Sequence, residues 1–416
     1  MKNICTLCPR NCKADRAAGN GGFCGAPADI RVDRASLHMW EEPCISGWRG
    51  SGTVFFVGCN LKCVYCQNFP IAQGASEAGH SEEPEKTGTG QGENFREAGI
   101  EQRENSGEIG IGQRENSGET GIKQTENPDK TGVVVTDGSK IMETGSTVIA
   151  GQSLAPGELA ELFLRLEDAG AHNINLVTAA HFVPGVRGAL VRAKEEGLSV
   201  PVVYNSSGYE LPETLRMLDG LIDIYMPDFK YMSPKLAARY SHAPDYPEVA
   251  KAALKEMFRQ VGAPVFVKET QCEVKKEFSD FNGASENAKR MPAVNQQMPG
   301  NSQTEPPVNP SRMMLKRGML VRYLLLPGCV IDGKRILKYL YETWHDDIWI
   351  SIMNQYTPQP KQLRDFPELN RKVMGREYDS LLDYALRLGI HNAYMQEGEA
   401  AKESFIPDFR DSGLLE

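Results

Sequence analysis

Residues 52–66 read Gly52-Thr53-Val54-Phe55-Phe56-Val57-Gly58-Cys59-Asn60-Leu61-Lys62-Cys63-Val64-Tyr65-Cys66. The first half is a short apolar run rich in β-branched and aromatic residues, the composition of a strand buried on both faces. Gly58 ends the run, and a C-x3-C-x2-C spacing follows at once. Three thiolates are one short of a closed four-ligand site. A cube of iron and sulfide held by three cysteines keeps one iron open, and an open position lets a metal centre bind a reactant instead of only carrying electrons. The spacing alone also admits a structural zinc site or an ordinary ferredoxin-type cluster.

Outward from this stretch, five more short apolar runs read as strands: 174–178, 200–204, 221–226, 320–326 and 348–353. With 53–58 they make six strand candidates. Helical patterns lie between them. Leu159, Leu162, Phe163 and Leu166 share one face ahead of Gly170, Pro184 opens a second helix that stops at Gly197, and a third covers 249–261. Strands alternating with helices predict an α/β fold, here a partial (β/α)6 TIM-type barrel whose chemistry stands at the strand C-termini.

Two stretches break the alternation. In residues 75–150, Gln91, Gln102, Gln113 and Gln124 each begin a Gln-x-Glu-Asn unit of period 11. Such a period can mean a right-handed coiled coil. Each unit, however, offers one aliphatic residue (Ile100, Ile111, Ile122, Val133) beside a glycine, too little to form a seam, so the segment is expected to be a disordered insertion. Residues 275–316, rich in Asn, Gln and Pro, are expected to be a second one. The remaining organisation reads as a Cys-rich N-terminal segment (1–50), a core (51–400) and a tail (401–416).

The 416 residues carry 40% hydrophobic and 24% charged residues and a net charge of -9. With no dense Lys/Arg block, the chain lacks the footprint of phosphate-backbone binding, so nucleic acid is not an expected partner. No apolar run spans a bilayer and MKNICTLCPR has no secretory h-region, so a cytoplasmic protein without a membrane segment is expected. In a reducing compartment ten cysteines argue for metal ligation over disulfides. Eight of them crowd the first 66 residues. Cys5, Cys8, Cys12 and Cys24 form a candidate second site for zinc or another iron-sulfur cluster, between which thiolate spacing does not choose. Cys44 has no obvious partner, and Cys272 and Cys329 read as structural.

The C-x3-C-x2-C spacing, its place after the first strand and the aromatic Tyr65 before the last cysteine resemble the signature of the radical S-adenosylmethionine superfamily. Within it the chain resembles the pyruvate formate-lyase activating enzymes and their homologues. Tyr204-Asn-Ser-Ser-Gly208 is similar to their third-strand loop, where an acidic residue is common at the position of Asn205. Asp228-Phe-Lys230 is similar to their Asp-x-Lys after the fourth strand, and Arg322-Tyr-Leu-Leu-Leu-Pro327-Gly to a run of the fifth. The resemblance implies a 4Fe-4S cluster on Cys59, Cys63 and Cys66, and S-adenosylmethionine in a pocket lined by Tyr65, Asn205, Asp228 and Lys230. It further implies a partner protein carrying a glycyl radical site and a reductant such as flavodoxin or ferredoxin. A zwitterionic methionyl group needs fixed charges of both signs, although Asp228 and Lys230 could equally be an ion pair on the rim.

One departure stands after the second strand. The family's Gly-Gly-Glu-like turn is replaced by Thr178-Ala-Ala-His181-Phe, which makes His181 a candidate proton or hydrogen-bond donor. Residues 351–358 follow the sixth strand and read either as substrate contacts or as packing around Pro358. Two other readings remain: a radical maturase acting on peptides or proteins, and a non-enzymatic iron-sulfur or zinc protein.

Overall fold

The computed structural model describes residues 4–73, 151–270 and 311–396. The repeat segment 75–150, most of 275–316, the tail 401–416 and Cys272 lie outside them. All described residues belong to one compact unit.

In chain order the elements are β1 (Ile30–His38), α1 (Pro43–Ser46), β2 (Ser51–Phe56), α2 (Phe69–Gln73), β3 (Gln152–Leu154), α3 (Pro156–Asp168) and β4 (Ile174–Val177). They continue with α4 (Val183–Glu195), β5 (Val202–Ser206), α5 (Pro212–Arg216), β6 (Ile224–Pro227), α6 (Pro234–Ser241) and α7 (Tyr246–Val261). The last are β7 (Val265–Thr270), β8 (Ser311–Leu324), α8 (Val330–Trp344), β9 (Trp349–Met353), α9 (Gly375–Leu388) and β10 (Ala393–Met395).

All six expected strands are present as β2, β4, β5, β6, β8 and β9, and each pairs in parallel with the next. The result is a mixed α/β fold around one large sheet of order β10-β9-β8-β6-β5-β4-β2-β1-β3. At one end β10 adds a further parallel strand, and at the other β1 pairs antiparallel with β2 and carries β3 on its outer edge. These short edge strands lack the long apolar run by which a buried strand is recognised in sequence. Leu159, Leu162, Phe163 and Leu166 are all buried on the inner face of α3, as their spacing requires.

One boundary is corrected. Residues 311–316, expected inside the second insertion, are strand: β8 runs from Ser311 and pairs antiparallel with β7 before entering the parallel sheet. Residues 271–310 therefore join the two strands of a ribbon. The antiparallel partner supplies the ladder hydrogen bonds that the composition of 311–316 does not advertise.

The pleat decides what faces the interior. Val203, Ile224, Met226 and Leu320 form an apolar layer with Cys44 and Ile45 of α1. Two residues further along each strand, on the same face, stand Asn205, Asp228 and Arg322. Cys44 thus has packing as its role, with its thiol pushed up to about 12 by burial. Among the described residues no helix is long and apolar enough to cross a membrane.

Candidate functional site

Beyond β2 the chain turns at Gly58, whose φ of 87° favours glycine and whose missing side chain leaves room for the Cys24 carbonyl, 2.7 Å from where a Cβ would stand. The cysteine loop follows. Lys62 holds φ 52°, uncommon for a residue with a side chain. Cross-ties keep the loop in that shape: Val64 N–H donates to Tyr240 O at 2.9 Å, and Asn60 Nδ2 to Tyr209 O at 2.8 Å. Leu61 N–H donates to Cys59 Sγ at 3.3 Å and Ser241 Oγ to Cys63 Sγ at 3.0 Å, so two of the three sulfurs already receive hydrogen bonds.

Cys59, Cys63 and Cys66 all line one cavity of about 220 Å³, together with Tyr65, Asn205, Asp228 and Lys230. Burial pushes the Cys63 and Cys66 thiols up, Cys59 adds to the effect on both and Cys63 to that on Cys66, while Lys230 pulls the other way. Thiolates placed together in a dry site need a cation among them. Among the described residues no three His, Cys, Asp or Glu side chains close on the volume of a single metal ion. Three thiols lining one cavity are the donor set through which a metal centre would be held there.

Opposite the thiols lies a layer of charge. Arg322 Nε donates to Asp228 Oδ1 at 3.0 Å, its Nη1 to Glu41 Oε2 at 3.2 Å and its Nη2 to Asn205 Oδ1 at 2.6 Å. Lys230 Nζ meets the other Asp228 oxygen at 2.6 Å. Asn175 Nδ2 donates to Glu41 Oε1 at 3.0 Å. Burial pushes the Asp228 carboxyl up, but Lys230 and Arg322 outweigh it and hold it below the usual carboxylate range. Burial pushes the Glu41 and Glu42 carboxyls up, with Arg322 pulling the other way. The layer thus sets three carboxyls, of which Asp228 is the one held ionised, against the two cations Lys230 and Arg322. Two acceptors in this layer, Glu42 Oε2 and Asn175 Oδ1, are buried without a hydrogen-bond partner.

Asn205, Asp228, Lys230 and Tyr65 thus meet beside the three cysteines, where they were expected. The Asp228–Lys230 pair is no rim pair: its side chains are 19% and 18% exposed inside the cavity. Glu41 and Glu42 were missed, because Trp40-Glu41-Glu42-Pro43 reads as a polar turn. Arg322 figured only as part of a resemblance. The signal available for Arg322 was a charged residue inside an otherwise apolar strand, which the sheet buries only if it is paired. From 351–358, Met353 and Gln355 line the cavity, whereas Tyr356 packs inward and donates to Leu369 O at 2.8 Å.

His181 does not line this cavity. It is buried against the N-terminal segment, where its Nε2–H donates to Val57 O at 2.6 Å, and burial pushes its pKa down to about 4. A neutral imidazole whose proton is held by a backbone carbonyl does not serve as a proton donor to the cavity, so the role expected of His181 is corrected to a tie beneath β2.

The N-terminal cysteines gather separately. The Cys8 thiol is pushed up to about 12 by burial, with Cys24, Cys5 and Cys12 each adding to the effect. Cys24 is pushed up by burial and by Cys5 and Cys12. The four thiols therefore share one neighbourhood. None of them reaches the cavity of the cysteine loop. Cys329 is buried near the start of α8, in keeping with a structural role.

No protein-family model matches the chain. Among solved structures, Streptococcus suis SuiB bound to precursor peptide SuiA aligns with a TM-score of 0.35 and 10% identity, over 61% of this chain. The chain spans less than half of that structure, 46% of its length. An uncharacterized protein of Methanocaldococcus jannaschii is 24% identical over 402 residues, which make up 94% of this chain and 78% of that protein.

Proposed function

We propose that this chain is a radical S-adenosylmethionine enzyme of the kind the sequence resembles, an activating enzyme for a glycyl-radical partner protein. The observation that carries the reading is the shared cavity, in which three thiols and a layer of fixed charges of both signs face one another at the ends of neighbouring parallel strands. Ligands at strand C-termini are what an incomplete (β/α)6 barrel would present.

Cys59, Cys63 and Cys66 hold a 4Fe-4S cluster in this reading. When bound, the cluster would supply the single electron for reductive cleavage of S-adenosylmethionine to methionine and a hydrogen-abstracting 5'-deoxyadenosyl group. The chain's own side chains do the rest. Lys230, at the cavity wall, offers a cation to the methionyl carboxylate. Asp228 and Glu41 supply oxygens to its ammonium group. Asn205 and Arg322 keep both carboxyls oriented, so little reorganisation accompanies binding. Tyr65 closes the apolar side. A flavodoxin or ferredoxin would be the reductant.

Cys5, Cys8, Cys12 and Cys24 form a second, closed four-thiolate centre in the same reading. The resemblance, in which some members carry auxiliary clusters, leans this centre toward iron-sulfur, while thiolate spacing does not choose between iron-sulfur and zinc.

The test is anaerobic reconstitution with iron and sulfide, reduction with dithionite and chromatography of the products. Wild-type protein should release methionine and 5'-deoxyadenosine in equal amounts, and Cys63→Ala none above background. Full turnover by Cys63→Ala would overturn the assignment.

A further inference from the structure

Three buried hydroxyls stand in line behind one of the loop sulfurs. Tyr65 belongs to the cysteine loop, Tyr231 follows β6 and Ser241 is the last residue of α6. Tyr231 Oη lies 2.8 Å from Tyr65 Oη and 2.7 Å from Ser241 Oγ, and Ser241 Oγ donates to Cys63 Sγ at 3.0 Å. Ser241 is completely buried and Tyr231 is 1% exposed, so water does not compete for these groups.

Each hydroxyl has one proton to donate. A Cys63 sulfur that binds metal can only accept, so the Ser241 proton points at it. Tyr231 Oη donates to Tyr65 Oη, and its contact with Ser241 Oγ, across which either atom can donate, holds the serine hydroxyl in place beneath the sulfur.

The last link is held from outside by Arg10, in the N-terminal Cys8-Pro9-Arg10-Asn11-Cys12 stretch. Its Nη2 donates to Ser241 O at 2.7 Å and Leu61 O at 3.2 Å, and its Nε to Asn60 O at 2.8 Å. Its Nη1 donates to His242 O. One guanidinium, stacked 3.9 Å from the Phe23 ring centroid, therefore binds the end of α6 to the Cys59–Cys63 loop. The clamp fixes the Ser241 backbone from which Oγ reaches Cys63.

Hydrogen bonds to cluster sulfurs stabilise the reduced form, which carries the extra negative charge, and so raise the reduction potential. We propose that Tyr65, Tyr231 and Ser241 are positioning residues that tune the centre on Cys63 through this hydroxyl chain and raise its reduction potential. The proposal rests on the cluster reading above.

The experiment is a redox titration of full-length reconstituted protein, followed by electron paramagnetic resonance. The signal to follow is the one absent from the Cys59, Cys63 and Cys66 to Ala triple variant. Ser241→Ala should keep its iron and sulfide but shift the potential downward by about 59 mV, a tenfold change for a one-electron couple. Ser241→Thr should restore it. Tyr231→Phe should shift it less, and Tyr65→Phe least. Equal potentials in wild type and Ser241→Ala, or a threonine variant left at the alanine value, would overturn the tuning role. Should Ser241→Ala fail to take up iron, Tyr231→Phe decides: no downward shift there overturns it too. A wild type without that signal would instead remove the cluster itself, a separate result that defeats both readings.

Discussion

The two cysteine groups of this chain share a residue type and differ in almost everything around it. The C-x3-C-x2-C loop presents three thiols to a cavity walled by Asp228, Lys230, Arg322 and Glu41. The N-terminal Cys5, Cys8, Cys12 and Cys24 press on one another electrostatically, with Arg16 as the cation acting on Cys24. In the function proposed above, ligand number would explain the contrast: a three-thiolate centre would have a coordination position to offer and need charges to receive what binds there, whereas a four-thiolate centre would be complete and need only to be held. The groups are nevertheless joined. Arg10, between Cys8 and Cys12, grips the carbonyls of Asn60 and Leu61, so the closed segment acts as a strut for the open loop.

The largest effect expected concerns metal content. With Cys59, Cys63 and Cys66 all changed to Ala, production of 5'-deoxyadenosine should vanish while about four irons per chain remain on the N-terminal cysteines. Metal analysis of protein purified without oxygen or chelator checks this. One zinc in place of iron would revise the nature of the second centre, and neither metal would mean that the N-terminal segment folds by packing alone.

Next in size is the charge layer. Arg322→Leu leaves Glu41 buried without its cation and Asp228 with Lys230 alone, and removing one partner of a buried pair costs about 3–5 kcal/mol. Chemical denaturation should register a loss of that order. A loss under about 1 kcal/mol, the range of exposed pairs, would mean that water reaches the layer and that its charges are not prearranged for a ligand.

The smallest effect is a pH dependence beneath the loop. Glu210 accepts from Ser206 Oγ at 2.7 Å, and burial pushes its carboxyl up to about 7. The unfolded chain ionises this group near the ordinary glutamate value while the folded chain keeps it protonated. The stability it contributes is therefore complete below about pH 4 and is lost as pH rises through about 7, a swing of about 3 kcal/mol for a shift of this size. Glu210→Gln should remove the swing. Its stability should fall less than that of the wild type between pH 5 and 8, and parallel denaturation curves in the two proteins would exclude the effect.

Much of the fold was legible because it is local. Each of β2, β4, β5, β6, β8 and β9 contains part of a short apolar run, and the inner face of α3 is written in Leu159, Leu162, Phe163 and Leu166. The grouping of Cys59, Cys63 and Cys66 was legible for the same reason, since three cysteines within eight residues of the chain carry their own spacing. What failed was nonlocal. The start of β8 at Ser311 depends on pairing with β7. His181 stands at a strand end, as a functional residue would, yet its proton is taken by Val57 O.

The sequence by itself determined the alternation of strands and helices, the ligand triad and the residue types of a charged pocket. Only the tertiary structure decided which charges meet. Arg322 joins Glu41 across 281 residues of chain, and Asp228 across 94. A periodicity reports which face of an element is buried. The partner of a buried charge is set by strand order and register, which bring Asn205, Asp228 and Arg322 side by side from three strands, and no stretch of sequence short enough to read alone contains that information.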